Sequence, residues 1–171
     1  MNGGTGTAHR PASAGAPRPA AGGGPAFHAA GRATRLDLGP LPGAPGCARA
    51  HARAVLLGWD VPGVAIGDIE LAVSELVTNA VQATWRLNRT VPEPVTVRMT
   101  EEGQDVLVEV ADASTDKPDP YAPEDAVDRG RGLIIVAALS AAWGSYPRGP
   151  AGKVVWARLL ARPGHARPAP A

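Results

Sequence analysis

The chain has 171 residues, enough for one ordinary domain with a real core and few for two. Its formal net charge of +1 gives no global basic field for nucleic acid or an anionic membrane, and its single cysteine, Cys47, excludes an intrachain disulfide and a cysteine-rich metal site. No apolar run approaches the ~18 residues needed to span a bilayer and no apolar stretch follows the first charges, so the expectation is a soluble protein of the reducing cytoplasm, without membrane or secretory segments.

Residues 1–31 are Gly, Ala, Pro and Thr/Ser with scattered His and Arg. Such a segment has too little apolar surface to offset its ordering entropy, so it reads as a disordered tail. The segment from 162 to 171 reads the same way, which leaves one domain over residues 32–161. Ala33 to Leu38 alternates as a short strand and stops at Gly39-Pro40. A first helix is expected from about Pro45 to Gly58, with Cys47, Ala50, Ala54, Val55 and Leu57 on its buried side. His51 on that helix reads as an ordinary, partly exposed histidine.

A long helix is expected from about Val64 to Leu87. Ile66, Ile69, Val73, Leu76, Val77, Ala80 and Thr84 recur at steps of three and four and form one buried stripe. Asp68, Glu75, Asn79, Gln82 and Arg86 line the other side. Val95 to Thr100 and Asp105 to Asp112 have period two and flank Glu101-Glu102-Gly103-Gln104, so they form an antiparallel hairpin. Ala113 to Arg129 is a polar loop of about 17 residues, the length of a functional lid rather than of a connector. A third helix follows over Leu133 to Ala141, then strands at Trp143 to Tyr146 and Lys153 to Leu160. The order predicts an α+β two-layer sandwich: a mixed, largely antiparallel sheet covered on one face by three helices.

Three places carry chemistry. Glu75 and Asn79 are four apart, so they project from one helix face a single turn apart. A carboxylate and an amide oxygen at that spacing suit a hydrated Mg²⁺ completed by substrate phosphates, or else a solvated helix face. Asp112 continues the apolar row Val106, Val108, Val110. It is therefore either a buried acceptor, for which the exocyclic amine of adenine is a suitable donor, or a strand-end turn former bonding the backbone around Ser114. Gly130-Arg131-Gly132 opens a helix, where backbone amides favour phosphate, although a hinge reads the same way. The dinucleotide fingerprint and the Gly-Lys-Ser/Thr phosphate loop are both absent from the sequence.

In this order the three places resemble a known family. Glu75-Leu76-Val77-Thr78-Asn79-Ala80 is similar to the N-box of the GHKL (Bergerat-fold) ATPases. Asp112-Ala113-Ser114 is similar to the start of their G1 box, and Gly130-Arg131-Gly132-Leu133 to their G2 box. Trp143-Gly144 and Gly152-Lys153-Val154-Val155-Trp156 resemble the last strands of the short branch, the bacterial anti-sigma-factor serine/threonine kinases. The resemblance implies ATP and Mg²⁺ as cofactors. Asn79 would ligate the metal, Glu75 would position or activate the attacking group, and Asp112 would bond the adenine amine with Ser114 beside it. Gly130, Arg131 and Gly132 would border the lid and contact phosphates. It further implies a protein kinase that phosphorylates a small regulatory protein, a sigma factor or an anti-anti-sigma-like domain, and so regulates transcription. Neither nucleic acid nor membrane is an expected partner, and relatives that dimerise through the sheet or first helix suggest a homodimer. Glycines follow the aspartate in a full G1 box, whereas Ala113 to Pro118 has none. The alternative is therefore a non-catalytic or weakly ATP-binding interaction module of the same fold that acts by docking.

Overall fold

A computed structural model describes residues 31–118, 131–149 and 152–162. The two expected tails, residues 119–129 of the expected lid and Gly130 lie outside the described residues. The chain runs β1 (Ala33–Leu38), α1 (Ala44–Gly58), α2 (Gly63–Arg86), β2 (Val95–Glu102), β3 (Asp105–Asp112), α3 (Arg131–Leu139), β4 (Ala142–Pro147) and β5 (Lys153–Leu160). The strands form one sheet in the order β1-β2-β3-β5-β4, with the three helices on one face. The architecture is the expected α+β sandwich. Its sheet is fully antiparallel among the described residues rather than mixed, because β1 pairs antiparallel to β2 and β5 inserts antiparallel between β3 and β4.

The stripe predicted on the long helix is the centre of the core. Ile66, Ile69, Val73, Leu76, Val77, Ala80 and Thr84 are all buried, with Ala72 and Val81 beside them. They pack on the inward rows of the sheet: Val95, Val97 and Met99 on β2, Val106, Val108 and Val110 on β3, and Val155, Ala157 and Leu159 on β5. Strand alternation aims every second residue at the helices. Each fully buried Val, Leu or Ile side chain stabilises by roughly 1.5–3 kcal/mol. Burying this stripe fixes the rotation of α2 about its own axis, and therefore which face is left outside the core.

α1 differs from expectation. It buries Ala44, Ala48, Ala52 and Leu56, while Cys47, Ala50 and Ala54 are exposed and Leu57 is 56% exposed. Val55 is half-buried, as the expected face required. The helix carries alanine on every side, so hydrophobicity alone distinguishes the stripes poorly. The small residues at steps of four let α1 lie close against α2, which the bulkier alternative would prevent. The helix ends at Gly58, as expected, and the left-handed residue that closes it is Asp60, at φ 57°. The Val61 amide donates to the Leu56 carbonyl and the Asp60 amide to the Leu57 carbonyl, at 3.0 and 3.1 Å, a Schellman closure. Leu56 and Val61, both buried, supply its hydrophobic contact.

Three ties hold the periphery. Arg32 donates to the carbonyls of Gly58 and Trp59 and to the Glu101 carboxylate, joining the start of β1 to the end of α1 and to β2. Its guanidinium holds the Glu101 carboxyl below the usual carboxylate range. Arg162, placed in the C-terminal tail by sequence, reaches Glu101 and donates its amide to the Gln104 carbonyl, so the ordered fold extends to it. The indole of Trp85 donates to the Pro40 carbonyl at 2.6 Å and anchors the far end of α2.

The choice of stripe on α1 can be checked by overpacking. Ala52→Leu should destabilise the protein by roughly 1–3 kcal/mol, whereas Ala54→Leu should change stability by less than about 0.5 kcal/mol. Urea unfolding of the two variants separates them, and the opposite order would put the buried face where the sequence pattern suggested.

Candidate functional site

The inward rows of β3 and β5 run together: Val106 faces Leu159, Val108 faces Ala157 and Val110 faces Val155. The next step of the same register sets Asp112 opposite Lys153. Alternation therefore puts a carboxylate and an ammonium where two more apolar residues would otherwise stand. Asp112 is 1% exposed and Lys153 is 5% exposed. Gly152 makes this approach feasible. It has φ +125°, and a Cβ there would lie 2.5 Å from the Asp112 carbonyl oxygen.

Asp112 Oδ1 accepts from Lys153 Nζ at 2.9 Å and from the Ser114 amide at 2.8 Å. The second bond is the strand-end turn that was one reading of this residue. Its other oxygen, Oδ2, is fully buried and has no hydrogen-bond partner among the described residues. Burial pushes the Asp112 carboxyl up from the ordinary aspartate value, against the pull of Lys153, of the Ser114 amide and of Arg148. Ser114 is itself buried, and its hydroxyl accepts from the Asp116 amide at 3.1 Å. The stretch after Asp112 is thus held by two successive side-chain-to-backbone turns, without the glycines of a full G1 box.

The second cluster lies between α2 and α3. Glu75 is half-buried and faces the first turn of α3, such that a Cβ built on Gly132 would sit 2.6 Å from Glu75 Oε2. The helix and carboxylate meet this closely only because residue 132 has no side chain. Asn79 stands one turn further along α2, also half-buried. On the intervening turn, Thr78 donates its hydroxyl to the Ser74 carbonyl, and Arg49 from α1 donates to the Ser74 hydroxyl. Arg131 is exposed and is the first residue of α3, so the helix begins two residues before the expected Leu133.

Of the residues singled out by sequence, the structure joins Glu75 to Gly132 and Asp112 to Ser114. Asn79 and Arg131 flank the first pair, and α2 packs on both β3 and α3. Sequence reasoning passed over Lys153. A lysine continuing the row of Val155, Ala157 and Leu159 was a usable signal, because a buried ammonium requires an anion beside it.

The family profile of the histidine kinase-like ATPase domain matches residues 42–159, from the start of the first helix to the end of the last strand. The chain belongs to the histidine kinase-like ATPase family. No curated protein matches it. Among solved structures, the RsbU and RsbW domains of Rv1364c from Mycobacterium tuberculosis share its fold with a TM-score of 0.59 at 23% identity. That match covers 78% of this chain and 34% of the mycobacterial one, so the chain spans about a third of that neighbour. The SiaB–SiaC complex from Pseudomonas aeruginosa shares the fold at 0.57 and 14% identity, over 74% of this chain and 88% of that one.

The residues of this family member suit the group its family name implies. A buried, unpartnered carboxylate oxygen suits an amine donor, and a glycine-lined helix N-terminus suits phosphate. Among the described residues no group of three or more His, Cys, Asp or Glu could hold a metal. A Mg²⁺ ion bound with few protein oxygens, waters and phosphates is compatible with Asn79 alone on the protein side. No helix among the described residues is long and apolar enough to cross a membrane.

The two close-packed glycines should respond differently to one methyl group. Gly152→Ala meets a rigid backbone carbonyl at a left-handed φ and should cost on the order of 2 kcal/mol or more. Gly132→Ala meets only the movable end of Glu75 and should leave the melting temperature within a few degrees of wild type. Thermal unfolding of both variants checks this, and equal losses would refute the assignment of Gly152 as the position that permits the β3–β5 approach.

Proposed function

We propose that the chain is an ATP-binding regulator of the anti-sigma-factor serine/threonine kinase type, acting in the cytoplasm on a small partner protein and through it on transcription. The observation that carries nucleotide binding is Asp112 Oδ2, a buried acceptor with no partner among the described residues. A buried unpaired acceptor costs about 1–3 kcal/mol. The exocyclic amine of adenine would relieve that cost.

Each residue then has a task set by its position. Asp112 accepts from the base. The backbone amides around Gly132 in α3 bind phosphate oxygens, with Arg131 bordering them, and Gly130, outside the described residues, keeps only the role that the resemblance implies. The Asn79 amide oxygen would hold a Mg²⁺ ion, which would supply charge neutralisation for the phosphates. Glu75, beside Gly132, accepts the proton of the partner's serine or threonine hydroxyl and aims that oxygen at the γ-phosphorus. Mg·ATP supplies the transferable phosphoryl group. Positioning and charge neutralisation do most of the remaining work. A protein partner draws support from the fold neighbour crystallised as a SiaB–SiaC complex.

ATP with Mg²⁺ should stabilise the wild type by about 2.7 kcal/mol at a hundred times the dissociation constant. Asp112→Asn and Asn79→Asp should lose most of that shift. Glu75→Ala should keep it and lose phosphoryl transfer by about 10²–10⁴-fold. Thermal shift and radiolabelled transfer to co-purifying partners are the measurements. Absence of any ATP-dependent shift in the wild type removes the proposal at its first step. Binding without transfer to any partner identifies a docking module instead, and phosphate release without a partner identifies a simple ATPase.

A further inference from the structure

The buried Asp112–Lys153 pair is more than the sheet needs. Two well-packed apolar residues would close the β3–β5 row as well, because desolvation of both charges cancels most of their attraction. Here both donors, the Lys153 ammonium and the Ser114 amide, converge on Oδ1, and Oδ2 is left buried and unused.

Resting on the nucleotide reading above, we propose that Lys153 determines which base the pocket accepts, by holding Asp112 as an anion with one free oxygen. A carboxylate oxygen only accepts hydrogen bonds, whereas a carboxylic acid can also donate. With Lys153 in place, Oδ2 pairs with a base edge that carries an amine. An oxo base turns its own acceptor towards Oδ2, and both lone pairs stay buried without a hydrogen. Sites built on one such buried bond discriminate strongly, because the wrong ligand leaves a polar group unpaired. Without Lys153, desolvation favours the neutral carboxyl, whose O–H suits an oxo base. Lys153 is thus a positioning residue that acts through Asp112.

ATP and inosine triphosphate isolate this effect, since they share the triphosphate and ribose and differ at the purine 6-position, amine against oxo. The wild type should bind ATP more tightly by about 100-fold or more. Lys153→Met should compress that ratio at least about tenfold, chiefly by gaining affinity for inosine triphosphate, and Lys153→Arg should restore the preference. A purely structural lysine would lower both affinities together and leave the ratio unchanged. Should Lys153→Met fail to fold, the charge-free double variant Asp112→Asn/Lys153→Met serves. Its amide both donates and accepts, so its ratio should approach one. Isothermal titration with Mg²⁺ present reads all four proteins. If the wild type binds neither nucleotide, the nucleotide reading falls and this inference with it. If it prefers ATP and either Lys153→Met or the double variant keeps the full preference, the inference alone is overturned.

Discussion

The register between β3 and β5 is the constraint on which the site depends. It is set by Val106, Val108 and Val110 against Leu159, Ala157 and Val155, six residues that all belong in the core. A slip of one residue would turn each of these side chains away from the helices. The apolar pairs therefore enforce the alignment, and the two charged residues at the end of the row inherit it. Asp112 meets Lys153 because three hydrophobic pairs upstream leave no other arrangement. Gly152 then removes the one steric obstacle, a side chain pressed on the Asp112 carbonyl.

α2 plays the corresponding part on the other layer. Its stripe is buried so completely that the helix has no rotational freedom, and Glu75 and Asn79 are left on a face that α3 borders. The carboxylate of Glu75 is set against a glycine in the first turn of α3. Core packing, rather than any bond among polar residues, brings the polar groups to their places. Local polar bonds then finish the strand end: the two turns after Asp112 hold the chain as it leaves the strand.

Much of this was legible in the sequence. β1, β3 and β5 have the bounds that the sequence implied, and the long helix has its whole predicted stripe inside. The three sequence stretches that marked the family occur on a helix, a strand end and a helix start. Each miss has its own cause. The α1 face was misjudged because alanine carries almost no directional signal. Lys153 was overlooked because a charged residue opening a strand looks like a solvated end until its cross-strand neighbour is known. That neighbour is 41 residues away in sequence, a separation that only the sheet topology resolves.

The strand order has a bearing on how the molecule is made. β4 has β5 as its sole neighbour among the described residues, and β3 obtains its second neighbour only from the same strand. A nascent chain that has emerged as far as β4 exposes one long open edge on β3, lined with unpaired amides and carbonyls, beside a strand that has nothing to pair with. Such edges invite association with other chains. Completion waits for the last eight residues of the sheet, which fill the gap between β3 and β4 and set Lys153 opposite Asp112. Pairing of β5 therefore does two things at once: it covers the open edge of β3 and brings Lys153 to Asp112.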